Sequence, residues 1–256
     1  MADLRGRTIL VTRPAHQAEP LCRLIEQAGG YPWRFPALAI APPHDPTALS
    51  AALARLSTFD RAIFVSPNAV HRTLDQCPDW PRDLSVAVVG QGSADAFRAR
   101  TGWPPQIVPT QRFDSEALLA LPPMHQVRGL RILLLRGEGG RELLATTLRE
   151  RGAEVEIVAA YRRVSPQPVV AEIDRLNRAG QRGEIDWVTV TSPEGLRNLI
   201  AMLGPDGQQW LPRTPLLVVT ERMRPVAEAL GWPRQRVAVS RRAADAALVE
   251  TLASHE

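Results

Sequence analysis

Short apolar runs alternate with amphipathic stretches along all 256 residues. The first run, Thr8–Val11, is rich in β-branched residues and closes on Thr12-Arg13-Pro14. Ala18, Leu21, Cys22, Ile25 and Ala28 then recur at helical spacing until Gly29-Gly30 interrupts them. Continued along the first half, this reading predicts strands over 33–40, 61–65, 85–89 and 106–108. Helices are expected over 47–56, from Ser66-Pro67 onward, over 93–100 and over 115–121. The second half gives strands over 131–135, 154–161, 187–190, 216–219 and 236–239. Its helices are expected over 141–151, 169–179, 193–203, 224–230 and 243–252.

Five strand–helix units per half, with strands apolar at nearly every position, imply parallel sheets covered on both faces. Two flavodoxin-like parallel-sheet lobes account for the whole length. The halves also echo each other. Gly102-Trp103-Pro104 recurs as Gly231-Trp232-Pro233, Ser66-Pro67 as Ser192-Pro193, and Arg13 corresponds to Arg136, at offsets of 129, 126 and 123. Offsets that grow in chain order are what loop insertions in an internal duplication produce. Two proline-bearing segments, 35–43 and 161–168, follow the second strand of each half and are the natural linkers.

Composition narrows the chemistry. The chain has no lysine, so all 31 basic residues are arginine, and Schiff-base chemistry and a Walker-type phosphate loop are excluded. The net charge of +4 permits an acidic partner, but the arginines are interleaved with acids and aromatics are 5%. Nucleic acid is therefore not expected. No apolar run approaches the roughly 20 residues of a membrane span, and Met1 to Gly6 lacks the apolar core of a signal peptide. Cys22 and Cys77 have no metal or redox spacing, and His16, His44, His71, His125 and His255 are dispersed. The expectation is a cytoplasmic protein with reduced thiols and no metal.

Parallel sheets bind ligands at the carboxyl ends of their strands, where helix N-termini present free N–H groups. The strand ends read Thr12-Arg13-Pro14, Ser66-Pro67-Asn68, Gly90-Gln91-Gly92-Ser93, Arg136-Gly137-Glu138-Gly139-Gly140, Thr191-Ser192-Pro193 and Thr220-Glu221-Arg222. Hydroxyls, glycines and arginines suit carboxylates or phosphates. Other readings stand beside this one. Ser66-Pro67 and Ser192-Pro193 are also helix caps followed by proline at the first helical position. Gly90-x-Gly92-x-x-Asp95 resembles a dinucleotide fingerprint, but it lacks the third glycine and does not follow the first strand of its unit. The segment 136–140 is either a plain strand–helix turn or a place of close ligand approach. Tyr161 is either a functional phenol or an interfacial aromatic.

Taken together, Val11-Thr12-Arg13-Pro14, Phe64-Val65-Ser66-Pro67-Asn68-Ala69-Val70, Val88-Val89-Gly90, Arg136-Gly137-Glu138-Gly139-Gly140-Arg141, Tyr161-Arg162-Arg163 and Thr191-Ser192-Pro193-Glu194-Gly195-Leu196 resemble the uroporphyrinogen-III synthase family of tetrapyrrole biosynthesis. The resemblance implies lobes that exchange their first β-α-β: residues 1–37 with 167–256, and residues 42–160. Two antiparallel linker strands, about 38–41 and 161–166, would join them, with substrate held in the cleft between. A simple tandem split near residue 124 is the alternative. The implied reaction dehydrates hydroxymethylbilane, a linear tetrapyrrole with eight carboxylates, and closes it through a spiro intermediate with ring D inverted, without a cofactor. The resemblance makes Tyr161 the group that assists departure of the hydroxyl. It also makes Thr12, Asn68, Gly90, Ser93, Arg136, Gly137 and Ser192 candidate substrate contacts, and the strand ends add Arg13, Ser66, Gly139, Thr191 and Arg222. The chain departs from some relatives at Thr220-Glu221-Arg222-Met223, where others carry a threonine pair. A monomer is expected. The rival readings are a non-catalytic two-lobed module binding a polycarboxylate, and an enzyme using a nucleotide or phosphate.

Overall fold

The computed structural model describes residues 2–140, 142–242 and 244–255. In chain order the first elements are β1 (Thr8–Val11), α1 (Ala15–Gln27), β2 (Tyr31–Arg34), β3 (Ala39–Ala41), α2 (Thr47–Leu53), β4 (Arg61–Phe64) and α3 (Pro67–Gln76). Next come β5 (Ser85–Val88), α4 (Gln91–Thr101), α5 (Ser115–Leu119), α6 (Pro122–His125), β6 (Arg131–Gly137), α7 (Leu143–Glu150) and β7 (Glu154–Val164). The chain finishes with α8 (Val170–Gln181), β8 (Trp187–Val190), α9 (Pro193–Trp210), β9 (Leu216–Val218), α10 (Arg224–Ala229), β10 (Val237–Val239) and α11 (Asp245–Ser254). The expected helix starts at Arg141 and Ala243 lie outside the described residues.

The chain divides into two compact units: Met1–Ala39 with Val164–Glu256, and Ile40–Arg163. The first unit holds a five-stranded sheet in the order β10-β9-β8-β1-β2. Its pairs are parallel, for example Ile9↔Trp187 and Val11↔Arg34. Read from the other edge, this is the 2-1-3-4-5 order of a flavodoxin-like sheet. The second unit holds the order β3-β7-β6-β4-β5, with β7, β6, β4 and β5 parallel. Its last four strands follow the same scheme, and the lone bridge Ala87↔Ile107 stands where a fifth strand would lie.

Each sheet carries an apolar layer on both faces, which is why its strands have little polar alternation. In the second unit Ala62 and Phe64 face the layer of Trp80, Leu133 and Phe97, while Ile63 faces Leu134, Leu144 and Leu148. In the first unit Leu10 packs with Val188, Leu216 and Trp232, and its neighbours Ile9 and Val11 pack with Leu21, Ile25 and Leu248.

Two expected strands are altered, and proline accounts for both. The run 33–40 is broken after Arg34: Pro36 has no N–H to give, and the chain leaves the first sheet to supply β3 at the edge of the second. The run 106–108 lies between Pro104-Pro105 and Pro109 and keeps the single bridge at Ile107. Both expected linkers contain strand, since β3 lies in one and β7 runs on to Val164 in the other. Helix α9 passes its expected end at residue 203 and continues to Trp210 across a kink at Gly204, whose φ of 62° breaks the helical run.

Candidate functional site

A doubly wound sheet has a crevice where strand order reverses, between the first and third strands of the scheme. In the first unit this point lies between β1 and β8, and in the second between β6 and β4. The residues that follow these strands are the expected candidates, and the structure sorts them into different tasks.

In the first unit, Thr12 is turned inward rather than toward a ligand. It is buried, and its hydroxyl donates to the Thr189 carbonyl at 2.7 Å. Thr189 in turn donates to the Leu10 carbonyl at 3.0 Å, so the two threonines stitch β1 to β8. Arg13 is ion-paired with Asp245 in the first turn of α11, which anchors its guanidinium at this edge. Ser192 caps α9: its Oγ accepts the Gly195 N–H at 3.0 Å, with Pro193 at the first helical position. Thr191, just before it, is half-buried. Arg222 is exposed in a short 3-10 turn after β9, where Glu221 pairs instead with Arg224 at 3.1 Å.

In the second unit, three candidates come together. The parallel register of β6 and β7 runs Arg136↔Ala159 and then Gly137↔Tyr161, so β7 carries an extra residue at this point. A bulge re-aims the side chains that follow it. Val158, Ala160 and Tyr161 consequently all face one apolar layer, although 160 and 161 are neighbours in sequence. The Tyr161 ring lies over Gly137, where a Cβ would stand 2.7 Å from Cζ and 3.0 Å from the phenol oxygen. Its hydroxyl is 3.0 Å from Ser66 Oγ, which also accepts the Ala69 N–H at 3.2 Å and caps α3. The glycine expected to let a ligand approach is therefore the seat of the Tyr161 ring. Tyr161 does not end its strand as expected; it lies inside β7 and is buried, with 6% of its surface exposed.

The other candidates of this unit surround the same edge. Arg136 donates to Glu142 at 2.6 Å and is half-buried, and Asn68 sits in the first turn of α3. Gly90 caps α4, and a Cβ there would come 3.3 Å from Cβ of Phe113. Ser93, expected to offer an open hydroxyl, is instead buried on the inner side of α4. Gly139 and Gly140 take φ of 68° and 104°, so this turn uses glycine for its backbone, with no side chain within 4 Å.

Two features were not found from sequence. Phe113 is 53% exposed beside Gly90, and a lone aromatic in the polar run 110–114 was the available signal. Glu138 binds both the backbone N–H and, at 2.6 Å, the Nδ1 of His44, tying the 136–140 turn to the segment after β3. The His44 N–H, with the ring behind it, holds the Glu138 carboxyl below the usual glutamate range. Among the described residues no three His, Cys, Asp or Glu side chains gather as a metal set, and no helix is long and apolar enough to cross a membrane.

The strand orders place this chain, twice over, in the doubly wound flavodoxin-like class. A family model described as uroporphyrinogen-III synthase HemD matches residues 19–250. The chain is 35% identical to uroporphyrinogen-III synthase of Escherichia coli (strain K12), with 90% of this chain and 94% of that protein aligned. It is 33% identical to the protein of that name from Synechococcus elongatus, over 82% of this chain and 80% of that one. The fold matches the uroporphyrinogen-III synthetase structure from Helicobacter pylori at a TM-score of 0.59 and 14% identity, covering 95% of this chain and 97% of that one. It matches a mutant uroporphyrinogen III synthase from Thermus thermophilus at 0.58 and 21%, covering 96% of each. The chain belongs to the uroporphyrinogen-III synthase family.

Proposed function

We propose that this chain converts hydroxymethylbilane to uroporphyrinogen III, with loss of water and inversion of ring D. The observation that carries the assignment to particular residues is the bulge in β7, which brings the Tyr161 phenol onto Gly137 and against Ser66 at the switch point of the second sheet. In this reading the pyrrole nitrogen pushes out the terminal hydroxyl, and Tyr161 gives it a proton or a strong hydrogen bond as the C–O bond breaks. The proton balance closes at the final ring closure, after the spiro intermediate has reopened, when the unsubstituted carbon of ring D that takes the last C–C bond loses its hydrogen.

Substrate carboxylates are held by guanidinium groups and by helix N-termini. Arg13, Arg136 and Arg222 supply the first, and the starts of α3, α4 and α9 behind Ser66, Gly90 and Ser192 supply the second. Holding a flexible chain in one geometry is most of the catalytic task, because the unguided reaction closes the wrong isomer. Thr12 serves here as an internal tie and Ser93 as a buried packing residue, rather than as ligand contacts. The reading further takes the protein as a cytoplasmic monomer acting on a small molecule, without cofactor or nucleic acid; light scattering at the mass of one chain tests the monomer.

The test supplies freshly prepared hydroxymethylbilane and resolves the product isomers. Isomer III above the enzyme-free control is expected, with Tyr161→Phe slower by about 100-fold. Product identical to the control would refute the enzyme and leave a polycarboxylate-binding module. Full turnover by a folded Tyr161→Phe would remove the phenol from the mechanism.

A further inference from the structure

Resting on the reading above, we propose that Ser66 is a positioning residue for Tyr161: it fixes the phenol by a hydrogen bond and steadies it when its proton is given up. Three observations converge on this pair. The bulge in β7 turns Tyr161 into the layer that also holds Ala160. Gly137 leaves the space the ring occupies, so the phenol has a defined seat. The Ser66 oxygen stands 3.0 Å from the phenol oxygen, and the capping N–H of Ala69 fixes the oxygen in turn.

Counting protons shows what the pair does. Two hydroxyls carry two protons, and one of them lies in the bond between the oxygens. The other is left for a third group. A phenol, with a reference pKa near 10, is a far stronger acid than an alkyl hydroxyl. The proton that reaches the departing hydroxyl therefore comes from Tyr161, and Ser66 donates to the phenol oxygen. As the C–O bond of the substrate breaks, the leaving hydroxide takes the phenol proton to become water. The phenolate accepts the Ser66 O–H until the proton released from the ring carbon restores it. Tyr161 is buried and Ser66 half-buried, and a hydrogen bond to a developing charge is stronger in such surroundings than at an open surface.

The experiment measures kcat, KM and isomer ratio on hydroxymethylbilane for the full chain and its variants. Ser66→Ala is expected to lower kcat on the order of 10-fold with KM within about twofold, as loss of one charge-assisted hydrogen bond in the transition state gives. Without the donor, the alkaline limb of the kcat–pH profile moves to higher pH. Ser66→Thr, which keeps both cap and hydroxyl, recovers most of the loss. In a Tyr161→Phe background Ser66→Ala has no further effect on kcat. Should Ser66→Ala fold poorly, Ser66→Gly removes the hydroxyl with a smaller loss of cap and gives the same readings. An equal loss from Ser66→Ala in both backgrounds, or a rise in KM at unchanged kcat, would overturn the proposal in favour of a purely structural or a direct substrate contact. A wild-type chain with no isomer III above control would sink the assigned reaction itself, whereas an active wild type with fully active Ser66 variants sinks this inference alone.

Discussion

Replacing Gly137 by alanine puts a methyl group into the seat of the Tyr161 ring. The added carbon would lie 2.7 Å from Cζ, 2.9 Å from Cε2 and 3.0 Å from the phenol oxygen. Ordinary contacts begin near 3.4 Å, so something must move by about 0.7 Å. The backbone is the stiffer party, because β6 and β7 are paired along seven positions and the Glu138 N–H bonds the Tyr161 carbonyl at 2.8 Å. The ring therefore yields, and its hydroxyl leaves Ser66. Overpacking of this kind costs about 1–3 kcal/mol, which an ordinary domain of roughly 5–15 kcal/mol survives. A displacement near 1 Å at the reacting group costs about 100-fold in rate. Gly137→Ala should remain folded by circular dichroism and melt cooperatively, yet consume hydroxymethylbilane about as slowly as Tyr161→Phe, with its product shifted toward the spontaneous isomer. Gly102→Ala serves as the control: φ is +81° and no side chain is within 4 Å, so it costs about 1 kcal/mol of strain and leaves kcat alone. A folded Gly137→Ala with wild-type kcat would refute the seat and with it the placement of the phenol.

Gly180→Ala drives a Cβ to 2.2 Å from the Trp210 ring, whose Nε1 is held by Asn177 at 2.9 Å. The tryptophan cannot turn aside without leaving a buried donor unpaired, so the melting temperature should fall by an amount equivalent to about 2–4 kcal/mol, while activity measured well below the melt is retained. Glu138, lowered by the His44 N–H, should titrate below the usual glutamate value of 4.5 in an NMR series. Because its folded pKa is depressed, the His44–Glu138 tie is fully present above that value and is lost as pH falls through the folded pKa. Glu138→Gln should abolish this acid-side loosening of the 136–140 turn, and an unshifted titration would contradict the contact.

Most of the scaffold was readable because its signals are local. Short β-rich runs such as Arg61–Phe64 and Ser85–Val88, bounded by turn signals, form strands, and Ser66-Pro67 and Ser192-Pro193 cap their helices as such pairs do. The bulge at Tyr161 was not readable, since the extra residue shows only against the register of β6. Without it, alternation would turn Tyr161 to the face of Ile157. For the same reason Gly137 read as ligand access, and Thr12 as a free hydroxyl: their partners, 24 and 177 residues away, come from other strands. The break after Arg34 was signalled by Pro36, but local pattern does not say that the chain then joins a different sheet.

That crossing governs how the molecule is made. Strands β1 and β2 leave the ribosome well before β8, the neighbour of β1, which follows β2 by about 150 residues, or roughly 8–30 s of synthesis at common rates. Residues Ile40–Arg163 are continuous and can close their own core in that interval. The N-terminal β-α-β meanwhile has one edge of β1 unpaired and one apolar face uncovered, the condition in which nascent strands pair with the wrong partner. Maturation of the first unit is thus paced by the segment from β8 onward, and destabilising substitutions in β8 or α9 should lower yield in cells more than equal losses within Ile40–Arg163.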